Sequence, residues 1–220
     1  MGNFNFEQAR RNMVDSQVRT WEVLDQRVLD VILQVPREDF VPAHLKSLAF
    51  ADTNIPIGHD QVMMPPKVEG RLLQALEIRP EDKILEIGTG TGYLTACLAR
   101  LGGRVHSVDI FEDFVRHAQE KLRAHGIDNV TLETGDAARG WAAHAPYDVI
   151  VVTGSVPELR GDFQGQLAMG GRLFVIVGES PVMEALRITR VGDDDFVRES
   201  LFDTDLRPLL NAPREKRFVF

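Results

Sequence analysis

The sequence predicts an α/β protein: a doubly wound, mostly parallel sheet with an antiparallel hairpin at its C-terminal edge and helices at its N-terminus. Three observations carry that expectation. From Lys83 onward, short apolar runs alternate with amphipathic stretches of helical period. Two runs, YDVIVVTG (147–154) and RLFVIVG (172–178), are apolar nearly throughout, as strands covered on both faces are. A glycine-rich turn, GTGTG (88–92), lies between the first run and the first helix of the alternation, where such sheets bind ligands.

Each element has its own warrant. Residues 5–35 read as helical, with Val28, Leu29, Ile32 and Leu33 on one face at spacings of three and four, and Pro36 closes that stretch. From Pro36 to Pro66 the chain is punctuated by prolines and reads as loop-rich. Residues 67–78 form the next helix, with Val68, Leu72, Leu73 and Leu76 apolar. The alternation then runs as strand 83–88, helix 92–102, strand 104–110, helix 112–126 and strand 130–136. Gly102 and Gly126 stop the two helices. ALRITRV (185–191) and FVRESLFD (196–203) alternate in polarity around a Gly-Asp turn and read as the edge hairpin. The division expected is an N-terminal segment, 1–79, packed on a core unit, 80–220.

Composition narrows the class. With 44% hydrophobic residues in 220, the chain is globular. A net charge of -8 disfavours nucleic acid and anionic membrane surfaces as partners. The single cysteine, Cys97, permits no internal disulfide and suits the cytoplasm; it reads as a small core residue. The N-terminal residues lack a secretory apolar region, and Phe6 rules out the myristoylation pattern that Gly2 suggests. No apolar run reaches the roughly 20 residues of a membrane span. The six histidines show no ligand spacing, so no metal site is expected. Trp21 and Trp141 read as packing residues, although Trp141 follows GDAARG (135–140) closely enough to line the ligand cleft.

The turn LEIGTGTGY (85–93) is informative in its spacing. A dinucleotide fingerprint places glycines at offsets 0, 2 and 5; Gly88, Gly90 and Gly92 lie at offsets 0, 2 and 4, and Tyr93 stands at 5. Glu86 precedes the first glycine by two. Asp109 ends the second strand, 21 residues after Gly88, where a carboxylate can accept ribose hydroxyls. Asp136 ends the third strand.

This constellation resembles the class I S-adenosylmethionine-dependent methyltransferases, with a Rossmann-like sheet. The resemblance implies that Glu86, Gly88, Thr89, Gly90 and Gly92 meet the methionine part of the cofactor. It implies that Asp109 and Ile110 hold the ribose, and that Gly135, Asp136 and Ala137 flank the adenine. S-adenosyl-L-homocysteine is then the product.

A narrower resemblance lies in MVDSQVR (13–19), VPREDFVP (35–42) and LAFADTNIPIG (48–58), with YDVIVVTG and LFD later in the chain. These stretches are similar to the protein-L-isoaspartate O-methyltransferase family, over about residues 10–210. The resemblance implies methylation of the free α-carboxylate of isoaspartyl residues in damaged proteins, after which the ester collapses to a succinimide. The acceptor loop would be IGHDQVMMPP (57–66), with Ile57, His59, Gln61, Val62 and Met64 facing substrate. There the chain departs from the family pattern. Asp60 stands at a glycine, Val62 at a threonine and Met64 at the serine usually assigned to the active site, so no catalytic residue is assigned. Met169 stands where proline is usual. The expectation is a competent cofactor site with an altered acceptor pocket. The other readings are a more apolar acceptor, and a cofactor-binding protein without turnover. Met63 and Met64 also suit plain gap-filling in a core.

Overall fold

The computed structural model describes residues 5–159 and 161–213. Gly2, read for acylation, and the last residues of the 80–220 unit lie outside the described residues.

The N-terminal reading of continuous helix divides in two. Helix α1 (Phe6–Met13) runs on through wider and tighter turns to Trp21, and Glu22 then adopts a left-handed conformation with φ 61°. Helix α2 (Gln26–Gln34) restarts behind Asp25, whose carboxylate accepts from the Arg27 N–H. The break is held from a distance. The Gln74 side-chain oxygen accepts from the N–H groups of Leu24 (2.6 Å) and Asp25 (2.9 Å), and its amide donates to the Glu22 carbonyl (2.9 Å). Those groups would otherwise continue the helix.

Helix α3 (Arg37–Phe40) is a single turn. The stretch read as loop-rich then contains an antiparallel hairpin, β1 (Ile55–Gly58) and β2 (Gln61–Met63). His59 and Asp60 form its turn with φ of 51° and 56°, both left-handed, as a two-residue hairpin of the tightest kind requires. Strands of three and four residues are too short to show a period of two. Helix α4 (Pro66–Ala75) begins on Pro66, whose missing N–H has no helical partner to lose.

The alternation follows the sequence reading closely. It runs β3 (Lys83–Ile87), α5 (Tyr93–Leu101), β4 (Arg104–Asp109), α6 (Glu112–Ala124), β5 (Val130–Thr134), β6 (Tyr147–Val156), α7 (Gly161–Gln164) and β7 (Leu167–Glu179). The hairpin β8 (Val182–Arg190) and β9 (Phe196–Thr204) completes the sheet. The seven strands lie in the order β5-β4-β3-β6-β7-β8-β9; β3 to β7 pair in parallel, and β8 and β9 are antiparallel.

Strand order reverses between β3 and β6, because β4 and β5 step one way and β6 and β7 the other. That switch point opens a crevice at the carboxyl ends of the strands. Successive residues of β3 feed opposite faces. Ile84 joins the larger core with Leu29, Leu72 and Phe174, while Leu85 and Ile87 join the second with Val152 and Leu173. Cys97 is buried and free. Among the described residues, no helix is long and apolar enough to cross a membrane.

Candidate cofactor and acceptor site

The glycine turn leaves β3 at the switch point. Gly88 has φ 96°, and a Cβ there would lie 2.1 Å from Thr153 Oγ1 on β6. Thr153 Oγ1 itself donates to the Ile87 and Gly88 carbonyls at 2.9 Å, so the turn is pinned directly over the reversal. Only a residue without a side chain allows both the backbone angle and this approach.

Glu86 sits beneath the turn, fully buried. Its Oε2 accepts from Thr95 Oγ1 (2.5 Å) and Ser107 Oγ (2.6 Å). Its Oε1 is buried without a partner and the residue borders the cleft. Burial pushes the carboxyl up to about 8, against the pull of the two hydroxyls. An orphaned oxygen on a carboxyl that lines a cleft is an acceptor for a donor, best a cationic one.

Asp109 closes β4. Its oxygens accept from the Gly90 N–H (2.8 Å) and the Phe111 N–H (3.0 Å), and burial raises its pKa against those bonds. Each oxygen keeps a second lone pair for a ligand hydroxyl. Asp136 accepts from the Ala138 N–H (3.0 Å) and from Asn211 Nδ2 (2.9 Å). The Gly135 N–H donates to the Asp109 carbonyl at 2.9 Å, so the ends of β4 and β5 are tied together.

One cleft of about 830 Å³, mouth included, joins these groups to the acceptor hairpin. Glu86, Gly88, Thr89, Gly90 and Asp109 line it. Ile110, Gly135, Asp136 and Ala137 line it too, as do Ile57, Gln61, Val62 and Met64 of the hairpin and the residues after it. Two expected residues fall outside the lining. Gly92 caps α5 with φ 85° and presses against helix α6, where an added Cβ would meet Ala118 Cβ at 2.9 Å; it is a packing glycine. His59 turns outward to α6, stacking on Phe111 at 4.0 Å and lying 3.0 Å from Asp113 Oδ2. The hairpin turn points its side chain away from the cleft. Trp141 also lies outside the cleft, packed on the Gly135 Cα.

The structure adds residues that the sequence reading missed. Arg37 is fully buried. It donates to the carbonyls of Ala49 (2.8 Å) and Met64 (2.6 Å) and pairs with Glu69, which borders the cleft. Burial pushes Glu69 up to about 7, against the attraction of Arg37. The arginine therefore fixes the backbone of the acceptor loop at Met64. A signal existed: Glu69 lies on the same helical stripe as Leu72, Leu73 and Leu76, an acid among core positions. Met63 and Met64 both belong to the larger core, Val62 packs against it, and all three border the cleft. Phe111, Phe114, Leu209 and Leu210 complete its apolar rim. The histidines are scattered in sequence, yet β4, β5 and the turn after β5 gather His106, Glu133 and His144.

The unpartnered Oε1 of Glu86, a residue that lines the cleft with the glycine turn, is an acceptor that the ammonium of an amino-acid tail would satisfy. With carboxylates of Asp109 and Asp136 at the next two strand ends, the fold and cleft are those of a class I S-adenosylmethionine-dependent methyltransferase. The sequence profile of the family described as "Protein-L-isoaspartate(D-aspartate) O-methyltransferase (PCMT)" matches residues 8–212. The chain belongs to this family. It is 39% identical over 209 residues to a protein-L-isoaspartate O-methyltransferase 2 of Pelobacter propionicus, covering 94% of this chain and 93% of that one. It is also 39% identical to a protein-L-isoaspartate O-methyltransferase of Roseiflexus castenholzii, covering 94% of each. A Plasmodium falciparum structure described as a protein-L-isoaspartate O-methyltransferase in complex with S-adenosyl-L-homocysteine shares the fold. Its TM-score is 0.76 at 22% identity, over 94% of this chain and 99% of that one.

Proposed function

We propose that this protein is an S-adenosylmethionine-dependent carboxyl O-methyltransferase acting on isoaspartyl residues of damaged proteins in the cytoplasm. Family membership supports the reaction, and one observation carries the cofactor assignment: the buried, unpartnered Oε1 of Glu86, a residue that lines the cleft. When bound, S-adenosylmethionine supplies a methyl group on a cationic sulfur, which leaves without help from an acid. Its product would be S-adenosyl-L-homocysteine.

The chain's own residues then have positioning tasks. Glu86 Oε1 accepts from the ammonium of the amino-acid tail. Asp109 accepts from ribose hydroxyls, and Gly135, Asp136 and Ala137 flank the base. An isoaspartyl α-carboxylate is ionised at neutral pH, with an ordinary pKa of about 3.3–3.7, so no general base is needed. Its attack depends on alignment and on exclusion of water. Ile57, Val62 and Met64 exclude water, and Arg37 holds the Met64 backbone in place. Val62 and Met64 bring no hydroxyl to the acceptor, so turnover is expected to be slower than a hydroxyl-bearing pocket would give. No observation favours a different acceptor over the family's own.

The test is methyl transfer from labelled cofactor to an isoaspartyl peptide, with the aspartyl peptide as control. Base-labile methyl ester on the isoaspartyl peptide alone supports the assignment. Calorimetric cofactor binding without ester formation on that peptide would overturn it.

A further inference from the structure

We propose that His106, Glu133 and His144 form a binding site for a divalent cation of the zinc class, outside the lining of the cofactor cleft. The site is independent of the methyl-transfer reading. Each of the three residues offers one ligand atom, and these atoms lie within 4.8 Å of one another. Tetrahedral zinc with bonds of about 2.0–2.2 Å places its ligands roughly 3.3 Å apart, so closure needs shifts on the order of 1 Å.

A second observation points the same way. His106 is only 5% exposed, and its Nδ1 is buried without a hydrogen-bond partner. Buried polar atoms are nearly always satisfied, and an orphan of this kind calls for an occupant. The tertiary fold brings the three side chains together. His106 and Glu133 project from the same face of neighbouring parallel strands, with His106 opposite Thr131 and Val108 opposite Glu133. His144 arrives on the short turn before β6, its Nε2 2.9 Å from Glu133 Oε1.

The donor set selects the ion. Two imidazole nitrogens and one carboxylate suit zinc and its first-row neighbours, whereas magnesium and calcium prefer oxygen throughout. Three protein ligands leave a fourth position for water. An outer partner is already in place: Trp141 Nε1 donates to Glu133 Oε2 at 2.9 Å, leaving Oε1 on the histidine side. The Tyr147 hydroxyl donates in turn to the Trp141 carbonyl at 2.6 Å. One adjustment is required. The two imidazoles stack at 4.1 Å with planes 21° apart, so their in-plane lone pairs do not converge. His144 must rotate out of the stack, and its 39% exposed side chain on a one-turn helix leaves room for that.

The experiment uses the full chain without a histidine tag, stripped with chelator and dialysed. Zn2+ is titrated by calorimetry, and Co2+ is added as a spectroscopic probe. The expected result is one Zn2+ per chain, tetrahedral visible bands with Co2+, and no binding of Mg2+. His144→Ala and Glu133→Gln should each weaken Zn2+ binding by at least about 10-fold. His117→Ala, on α6 outside the cluster, should bind like the unaltered chain. Circular dichroism checks that each variant is folded, and Glu133→Gln carries the test if His144→Ala is not. Absence of stoichiometric Zn2+ binding, or equal affinity in the folded ligand variants, would overturn the proposal and leave a simple Glu133–His144 ion pair.

Discussion

Restoring hydroxyls to the acceptor wall should raise activity, and the structure sets the size of the gain. Val62 lies on β2 opposite Pro56 and borders the cleft. Val62→Thr keeps the branched shape and adds a hydroxyl. Met64 is 4% exposed, and its carbonyl is held by Arg37 at 2.6 Å, so a serine there would inherit a fixed backbone. A hydrogen bond to a carboxylate contributes about 1.5–3 kcal/mol. Realised in the transition state, that corresponds to roughly 10- to 150-fold in rate. The two gains will not add fully, because both hydroxyls address one carboxylate. Removing a buried methionine side chain costs about 2–5 kcal/mol of stability. A domain with the usual 5–15 kcal/mol survives that, at a lower melting temperature. The assay is kcat/KM for an isoaspartyl peptide at low temperature, with Val62→Thr, Met64→Ser and the double variant. Cofactor affinity serves as the control. Rates equal to or below those of the unaltered chain, with cofactor affinity unchanged, would refute the reasoning that the apolar wall limits acceptor alignment.

Three further outcomes are expected. Glu86, raised to about 8 from 4.5, is protonated at neutral pH in the free protein. A cationic amino-acid tail should ionise it, releasing close to one proton per cofactor, which calorimetry in buffers of different ionisation enthalpy will count. The same shift makes the free protein lose stability as pH rises from about 4.5 through about 8, and Glu86→Gln should flatten that slope and abolish the proton release. Gly88→Ala places a Cβ 2.1 Å from Thr153 Oγ1 at φ 96°; a loss of about 1–3 kcal/mol in urea unfolding and weakened cofactor binding should follow. Arg37→Met strands buried Glu69 without its partner and should cost about 3–5 kcal/mol. Adding Glu69→Leu should recover most of that loss, measured by the same unfolding curves.

The sheet was legible from Lys83 onward because its signals are local. Strands covered on both faces must be apolar throughout, and the helices between them must carry an apolar stripe. The edge hairpin was legible in the same way, through its alternation around a Gly-Asp turn. The cleft lined by the glycine turn was legible because such a turn after the first strand of a doubly wound sheet falls at the switch point. The β1–β2 hairpin was not legible. Its strands are too short for a period, and His59 and Asp60 take left-handed angles that glycine or asparagine usually announces.

The chain by itself determined the layered architecture and the family. These follow from residue type at fixed spacing along one strand, helix or turn. Tertiary structure alone decided where helix ended at Glu22, because Gln74 supplies the competing hydrogen bonds from α4. It decided that Gly92 packs on Ala118 and that His59 meets Asp113 outside the cleft lining. It also brought Arg37 to Glu69 and His106 to Glu133 and His144. Each of these depends on which elements become neighbours, and local periodicity carries no record of that.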